Sequence, residues 1–271
     1  MDRMQSDLSR SQVLPVQTSA TRIGVIADVH GNIVALDAVI ERLQALGVEN
    51  FVFLGDLVSK GPAPQECFQA MQKLNPLIWI QGNTEERFAN PWFNELFNRD
   101  PETLSPEHRN LMLQHGFAKE HLPPESVAFL ANLPIQQSLQ AGNFACCCVH
   151  GAPGNVYQAI TSDQERGEID EICGRFAEPW CLSGHTHIPM LRHWKGKVFI
   201  NFGGVSFPSD HRIQASFGII ELGQDAPGTT FLEVPWDMNR LHRMCLERNY
   251  PLTDELKRYY GQGNENGTKY Y

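Results

Sequence analysis

Side chains able to bind metal ions recur beyond the ends of apolar runs in this chain. In order they stand in Asp28-Val29-His30-Gly31-Asn32, Gly55-Asp56, Gly82-Asn83, His150-Gly151 and Gly184-His185-Thr186-His187. The donors are two Asp (Asp28, Asp56), one Asn (Asn83) and four His (His30, His150, His185, His187). Imidazole mixed with carboxylate oxygen suits Mn, Fe, Zn, Co or Ni and differs from an all-oxygen calcium site. Seven donors exceed what one tetrahedral ion takes. They suit two ions that share a carboxylate, each keeping a position open for water or substrate. Taken singly the motifs are weak: Gly-Asp and Gly-Asn are ordinary turn dipeptides, and His185 and His187 would face opposite ways on a strand. Their order and shared context carry the reading.

Elements that could bring these donors together are legible. Ile23–Ala27, Phe51–Leu54 and Leu77–Gln81 read as short buried strands, each running into one of the motifs. Ile33–Leu46 shows helical spacing and stops at Gly47, and Pro64–Leu74 reads as a helix with Pro at its start. This is the βαβ pattern of a parallel sheet, whose sites form beyond the carboxyl ends of the strands. Residues 86–132 lack a strand signal and read as a helical insertion, with helices over Ser105–Gln114 and Glu125–Leu133. Phe144–Val149 and Trp180–Leu182 read as strands ending at the two His motifs, with a helix over Asp163–Phe176 between them. Met190–Trp194, Val198–Asn201, Ser216–Leu222 and Thr229–Val234 read as further strands, and Trp236–Arg248 as a last helix. Residues 1–20 are expected to form a flexible arm, 21–250 one domain, and 251–271 a flexible tail.

Composition narrows the setting. With 42% hydrophobic and 20% charged residues the 271-residue chain is an ordinary globular one. Its net charge of −9 argues against stable nucleic-acid binding or attachment to anionic membranes. A protein this acidic that handles phosphates needs local positive charge, which metal ions supply. The seven cysteines form no disulfide framework. Neither a secretory segment nor an apolar run near ~20 residues is present, so a cytoplasmic setting is expected. A small phosphorylated substrate is the expected partner, with a homo-oligomer possible. Cys146, Cys147 and Cys148 alternate on a strand, so two are expected in the core and one half exposed. Trp92, Phe93 and Phe97 are expected to form a helix packing face.

The motif order, with the phrases DVHGN, GDLVSKGP, GNTEE, VHGAPGN, SGHTHIP and INFGGVSFP, resembles the calcineurin-like metallophosphoesterase superfamily, in its small bacterial and archaeal phosphodiesterase-type branch. The resemblance covers about residues 23–222. It implies an α/β (α+β) fold, an αββα sandwich of two mixed sheets flanked by helices. It further implies that Asp28, His30 and His187 hold one ion, that Asn83, His150 and His185 hold a second, and that Asp56 bridges them. Two divalent cations, Mn foremost with Fe, Ni, Zn or Co as alternatives, would give a bridging hydroxide and hold phosphorus in line with it. Asp56, Asn83 and His150 are then the catalytic set, and Asn83, Lys60, Thr84 and His211 the candidate substrate contacts.

Two departures from the family pattern bear on specificity. The third motif commonly reads Gly-Asn-His-Asp/Glu, and Thr84 stands where its His would be. Threonine is no general acid near neutral pH, a role worth roughly 10²–10⁴-fold. Good leaving groups are therefore expected: diesters, aryl phosphates or anhydrides. His211, or less readily His115 or His121, could substitute as the acid. Ser209 replaces an Arg usual in the last motif, with Arg212 three residues on. The alternatives are a phosphomonoesterase or protein phosphatase, a dinucleoside polyphosphate hydrolase, and a non-catalytic metal-binding scaffold.

Overall fold

The periodic runs of the sequence fold into two mixed sheets. A computed structural model of the chain describes residues 14–223 and 226–261. After a two-residue strand β1 (Val16–Gln17), the chain runs β2 (Arg22–Ile26), α1 (Ile33–Ala45), β3 (Asn50–Phe53), α2 (Pro64–Leu74) and β4 (Ile78–Trp79). A helical stretch follows: α3 (Asn83–Glu86), α4 (Pro91–Leu96), α5 (Pro106–Glu120) and α6 (Pro124–Ala131), with one 3₁₀ turn at Pro101–Thr103. Then come β5 (Gln136–Ala141), β6 (Phe144–Val149), α7 (Arg166–Cys173), β7 (Trp180–Ser183), β8 (Met190–Trp194) and β9 (Lys197–Asn201). The chain closes with β10 (Gln214–Leu222), β11 (Pro227–Pro235), α8 (Met238–Glu247) and α9 (Thr253–Gly261).

One sheet has the order β11-β10-β2-β3-β4 and the other β1-β5-β6-β7-β9-β8. β2, β3 and β4 are parallel, with Val25 opposite Val52 and Val52 opposite Ile78. β10 runs antiparallel to β2 and β11. In the second sheet β6, β7 and β9 are parallel, and β5 and β8 run against them. Alternation along the strands divides the core. Val25, Val52 and Leu54 face Cys146, Cys148, Leu182 and Ile200 of the other sheet. Ile26 and Phe53 face outward onto Leu36, Val39 and Leu43 of α1 and Met71 of α2. Cys147, Cys181 and Phe199, on the far face of the second sheet, lie under Ile169 and Ile172 of α7. The result is the expected αββα sandwich.

Four expectations are corrected. The cysteine triplet is buried throughout, at 0% exposure for all three, because β6 is covered on both faces, by the facing sheet and by α7. The arm expected to residue 20 contains β1, which pairs in parallel with β5; residues 1–13 lie outside the described residues. The tail expected to be flexible from residue 251 contains α9, whose Leu256 and Tyr260 are buried against the core; residues 262–271 lie outside the described residues. In the expected aromatic face only Phe93 is buried, packed with Leu96 and Leu104, while Trp92 is exposed.

Candidate metal centre

Both sheets direct the carboxyl ends of their parallel strands to one edge. Asp28 and His30 follow β2, Asp56 follows β3, and Asn83 opens α3 after β4. His150 follows β6 directly, and His185 and His187 follow β7. Main-chain bonds tie these loops together. Asp28 N donates to Gly55 O (3.0 Å), His30 N to Asp56 O (2.9 Å), Gly184 N to His150 O (2.8 Å) and Ser206 N to Asp28 O (2.9 Å). Those ties hold an uncommon backbone. Asp28, His30, Asp56, His185 and His187 all have left-handed φ angles, between 51° and 71°. Each such residue costs about 1 kcal/mol or more and persists only where its surroundings over-determine it; such residues cluster at functional sites. Gly82 is required by close approach, since a Cβ there would collide with Asp56 N and Oδ1.

The donor atoms fall into two groups. In the first, His30 Nε2 and His187 Nε2 are 3.2 Å apart, with Asp28 Oδ1 3.4 Å from the latter. Asp56 Oδ2 lies 3.6 Å from His30 Nε2. In the second, Asn83 Oδ1 is 3.0 Å from His150 Nε2 and 2.9 Å from His185 Nδ1. Asp56 Oδ1 lies 3.5 Å from that same His150 nitrogen. Asp56 therefore turns one oxygen to each group. Asp28, His30 and His187, and separately Asp28, Asp56 and His150, are spaced as metal ligands would be.

A metal ion fits these residues on hydrogen-bond grounds. His150 Nδ1 sits 2.7 Å from Leu54 O and His187 Nδ1 sits 2.6 Å from Ser206 O. A carbonyl partner fixes the ring proton on Nδ1 and leaves Nε2 as a bare acceptor. His150 Nε2 then faces Asn83 Oδ1, acceptor against acceptor, a repulsion that a cation removes. Ligands about 2.1 Å from an ion and at right angles sit about 3 Å apart, which is the spacing seen. The Asn83 amide can also be turned over. It then donates to His150 Nε2 and His185 Nδ1, while its oxygen accepts from Thr84 N (3.3 Å) and Arg87 Nη2 (3.2 Å).

Protonation in the metal-free site follows from burial. Burial drives the His30 and His150 pKa values down, and those of His185 and His187 to about 4 and about 3, so all four rings are neutral at pH 7. Burial opposes charge on Asp56 too, but His150, His30 and Lys60 outweigh it and hold the carboxyl well below the usual range. Burial and the Asp56 charge push Asp28 well above it.

The remaining sequence candidates are placed as follows. Thr84 is buried, not facing substrate: its N donates to Asp56 Oδ1 (2.8 Å) and its hydroxyl proton is shared between Asp56 Oδ1 (3.0 Å) and Glu85 Oε1 (3.1 Å). Lys60 is near enough to act electrostatically on both Asp28 and Asp56, and its Nζ lies 5.5 Å from the Phe207 ring centre. His211 is buried edge-on to Tyr259, 4.4 Å between ring centres, outside both donor groups. His115 is stacked among Phe88, Phe93 and Phe97, and His121 on Phe117, so neither joins the cluster. Arg212 is bound to Asp210 and Glu233. A cleft of about 260 Å³ opens beside the donors, lined by Lys60, Phe207 (its ring centre 5.5 Å from that of His30), Asn110 and Gln114 of α5, and Arg258 and Tyr259 of α9.

Two neighbours escaped the sequence reading. Glu85 accepts from Asp56 N, Leu57 N and Gly82 N at 2.8–2.9 Å and so fixes the loop that carries Asp56. Burial and the Asp56 charge raise its carboxyl to about 7, against the pull of those three donors. Arg87 lies one turn past Asn83. The i, i+4 spacing on a helix beginning at a donor was the available signal for it.

Residues 21–225 match the family model of the calcineurin-like phosphoesterase superfamily domain. The chain belongs to this superfamily. A metallophosphoesterase of Sphaerobacter thermophilus superposes with a TM-score of 0.69 at 27% identity, over 90% of this chain and 99% of that one. A hypothetical protein of Pyrococcus horikoshii OT3 has the same fold, with a TM-score of 0.72 at 20% identity, over 89% and 97% of the two chains. An uncharacterised protein of Methanocaldococcus jannaschii is 22% identical over 210 residues, 75% of this chain and 77% of the relative. This calcineurin-like chain is thus a phosphoesterase-family hydrolase, and divalent metal ions are the cofactor that its family and its Asp/His groups imply. No described helix is long and apolar enough to cross a membrane.

Proposed function

We propose that the chain is a dinuclear-metal phosphoesterase acting on phosphodiesters or activated phosphate esters. The position of Asp56, one oxygen toward each donor group, carries this reading. Asp28, His30, His187 and Asp56 Oδ2 would hold one ion, and Asn83, His150, His185 and Asp56 Oδ1 the other. When bound, such ions acidify water and neutralise phosphate oxygens. Mn leads among the candidates, with Fe, Ni, Zn and Co behind it.

The chain's own residues set the rest. Leu54 O and Ser206 O orient His150 and His187, so their Nε2 lone pairs point inward. Thr84 and Glu85 hold Asp56 and its loop in register. Lys60 lines the cleft and would meet a phosphate oxygen. The cleft gives an organic substituent of the substrate somewhere to lie. No acid occupies position 84, which favours esters whose alcohol leaves without a proton. A small phosphorylated substrate and a cytoplasmic setting complete the reading.

The test uses protein stripped with a chelator and reloaded with Mn, Ni, Co, Zn or Mg in turn, on bis-p-nitrophenyl phosphate beside p-nitrophenyl phosphate. The expected outcome is metal-restored turnover, faster on the diester, with two ions per chain. Faster monoester turnover would overturn the diester preference. A chain that binds no ions would replace the enzyme by a scaffold.

A further inference from the structure

Arg87 is a half-buried cation with too few acceptors. Its guanidinium stacks over Phe93, 5.1 Å from the ring centre. Nε and Nη1 are both buried and have no hydrogen-bond partner. Among the described residues no carboxylate forms an ion pair with it, although eight other lysine and arginine ion pairs are formed. Nη2 lies 3.2 Å from the Asn83 amide. The group also sits within reach of the Tyr157 hydroxyl, and its charge is felt at His150 and Lys60. Leaving such donors unmatched costs about 1–3 kcal/mol, more for a charged group, unless an anion arrives.

The Asn83 amide makes that demand conditional. With its nitrogen inward, its oxygen accepts from Arg87 Nη2. Only with its oxygen inward can Asn83 serve a metal ion, and its NH₂ then faces Arg87, donor against donor. Loading the second donor group therefore takes away the acceptor that Arg87 had. The Tyr157 hydroxyl is then the one partner left within reach, and Nε and Nη1 stay open to the oxygens of a phosphate.

We propose that Arg87 is a substrate-contacting residue that binds a non-bridging phosphate oxygen, released for that task when Asn83 turns its oxygen to the metal. It would neutralise charge where Thr84 cannot. The inference rests on the dinuclear reading above, and its failure can be told apart from the failure of that reading.

The experiment measures binding of inorganic phosphate by calorimetry. Wild type, Arg87→Met and Arg87→Lys are compared as Mn-loaded protein, and wild type also after chelator treatment. Arg87→Met is expected to weaken phosphate about tenfold or more with ion content unchanged, and Arg87→Lys to restore part of it as a point charge. Wild type without metal is expected to bind phosphate at least as weakly as Mn-loaded Arg87→Met. In turnover of bis-p-nitrophenyl phosphate, Arg87→Met should lower kcat/KM about 100-fold. Phosphate affinity within twofold of wild type in Arg87→Met would overturn the assignment while metal-restored wild-type turnover kept the dinuclear reading. Loss of bound ions in both variants would also overturn it, making Arg87 a support for Asn83. If wild type itself shows neither bound ions nor turnover, the underlying reading falls and the inference with it.

Discussion

The two donor groups share Asp56 and two imidazoles apiece, yet they differ in charge. The first adds the carboxylate of Asp28, and the second adds only the neutral amide of Asn83. The second is also the one flanked by a cation, Arg87. An extra formal charge at a few ångströms strengthens cation binding even at high effective dielectric. On the proposed dinuclear reading, the first group would retain an ion, and the second would exchange one and meet an anionic ligand. A weakly held ion beside an unmatched guanidinium is a place where substrate charge adds to binding.

The largest expected effect comes from removing what the groups share. Asp56→Asn should lower kcat more than the 10–100-fold typical of outer-shell partners, and bound metal measured by elemental analysis should fall at both positions. A variant that kept one ion at full occupancy would show that the carboxylate serves a single group. Next in size is the asymmetry itself. In a calorimetric titration of stripped protein with Mn, two steps are expected, and Asn83→Ala should weaken only the second, about 10–100-fold. Asn83→Asp should draw the steps together by giving the second group its own charge. Equal steps in wild type would break the comparison.

A smaller effect is expected from Thr84→Val. It removes the hydroxyl donor to Asp56 Oδ1 but keeps the backbone donor, so turnover should fall about 5–10-fold, in line with about 1–1.5 kcal/mol for one hydrogen bond. The smallest test concerns pH and separates the site from the insertion. His115, ringed by Phe88, Phe93 and Phe97, is held by burial at about 3 instead of 6.5. The unfolded chain takes up that proton near pH 6.5 and the folded chain does not until about pH 3, so stability falls as acid is added across that window. His185 and His187, at about 4 and about 3, act in the same direction in stripped protein. Denaturant melts from pH 7 to 4 should therefore show a steep loss, shallower in His115→Phe. An unchanged slope in that variant would place the whole acid sensitivity in the donor cluster.

Much of this was legible in the sequence because strand ends, turns and helix stops are local signals. Ile23–Ala27 and Phe51–Leu54 announced buried parallel strands, and every donor stands just past such a run. β5 was missed because its sequence, Gln-Gln-Ser-Leu-Gln-Ala, is polar and takes its strand character from antiparallel pairing with β6. α9 was read as loose because its own composition is polar. Leu256 and Tyr260 become core only through partners far away in sequence, among them Phe207 and Trp236. The cysteine triplet misled for a similar reason: alternation marks a strand with one wet face, and β6 has none. Arg87 was overlooked because its i, i+4 spacing from Asn83 says where it stands, while its unmatched donors show only in the fold.

The cleft beside the donors has walls from separate parts of the chain. Lys60 and Phe207 come from loops of the sandwich, while its flanks are α5 of the insertion and α9 of the terminal segment. None of the seven donors lies on either flank. Substitutions at Asn110, Gln114 or Arg258 can therefore change which molecules are admitted and leave the reacting groups as they are. Two parts of the chain therefore bear on the site separately: the strand ends, held by strained backbone, and the α5 and α9 flanks of the cleft.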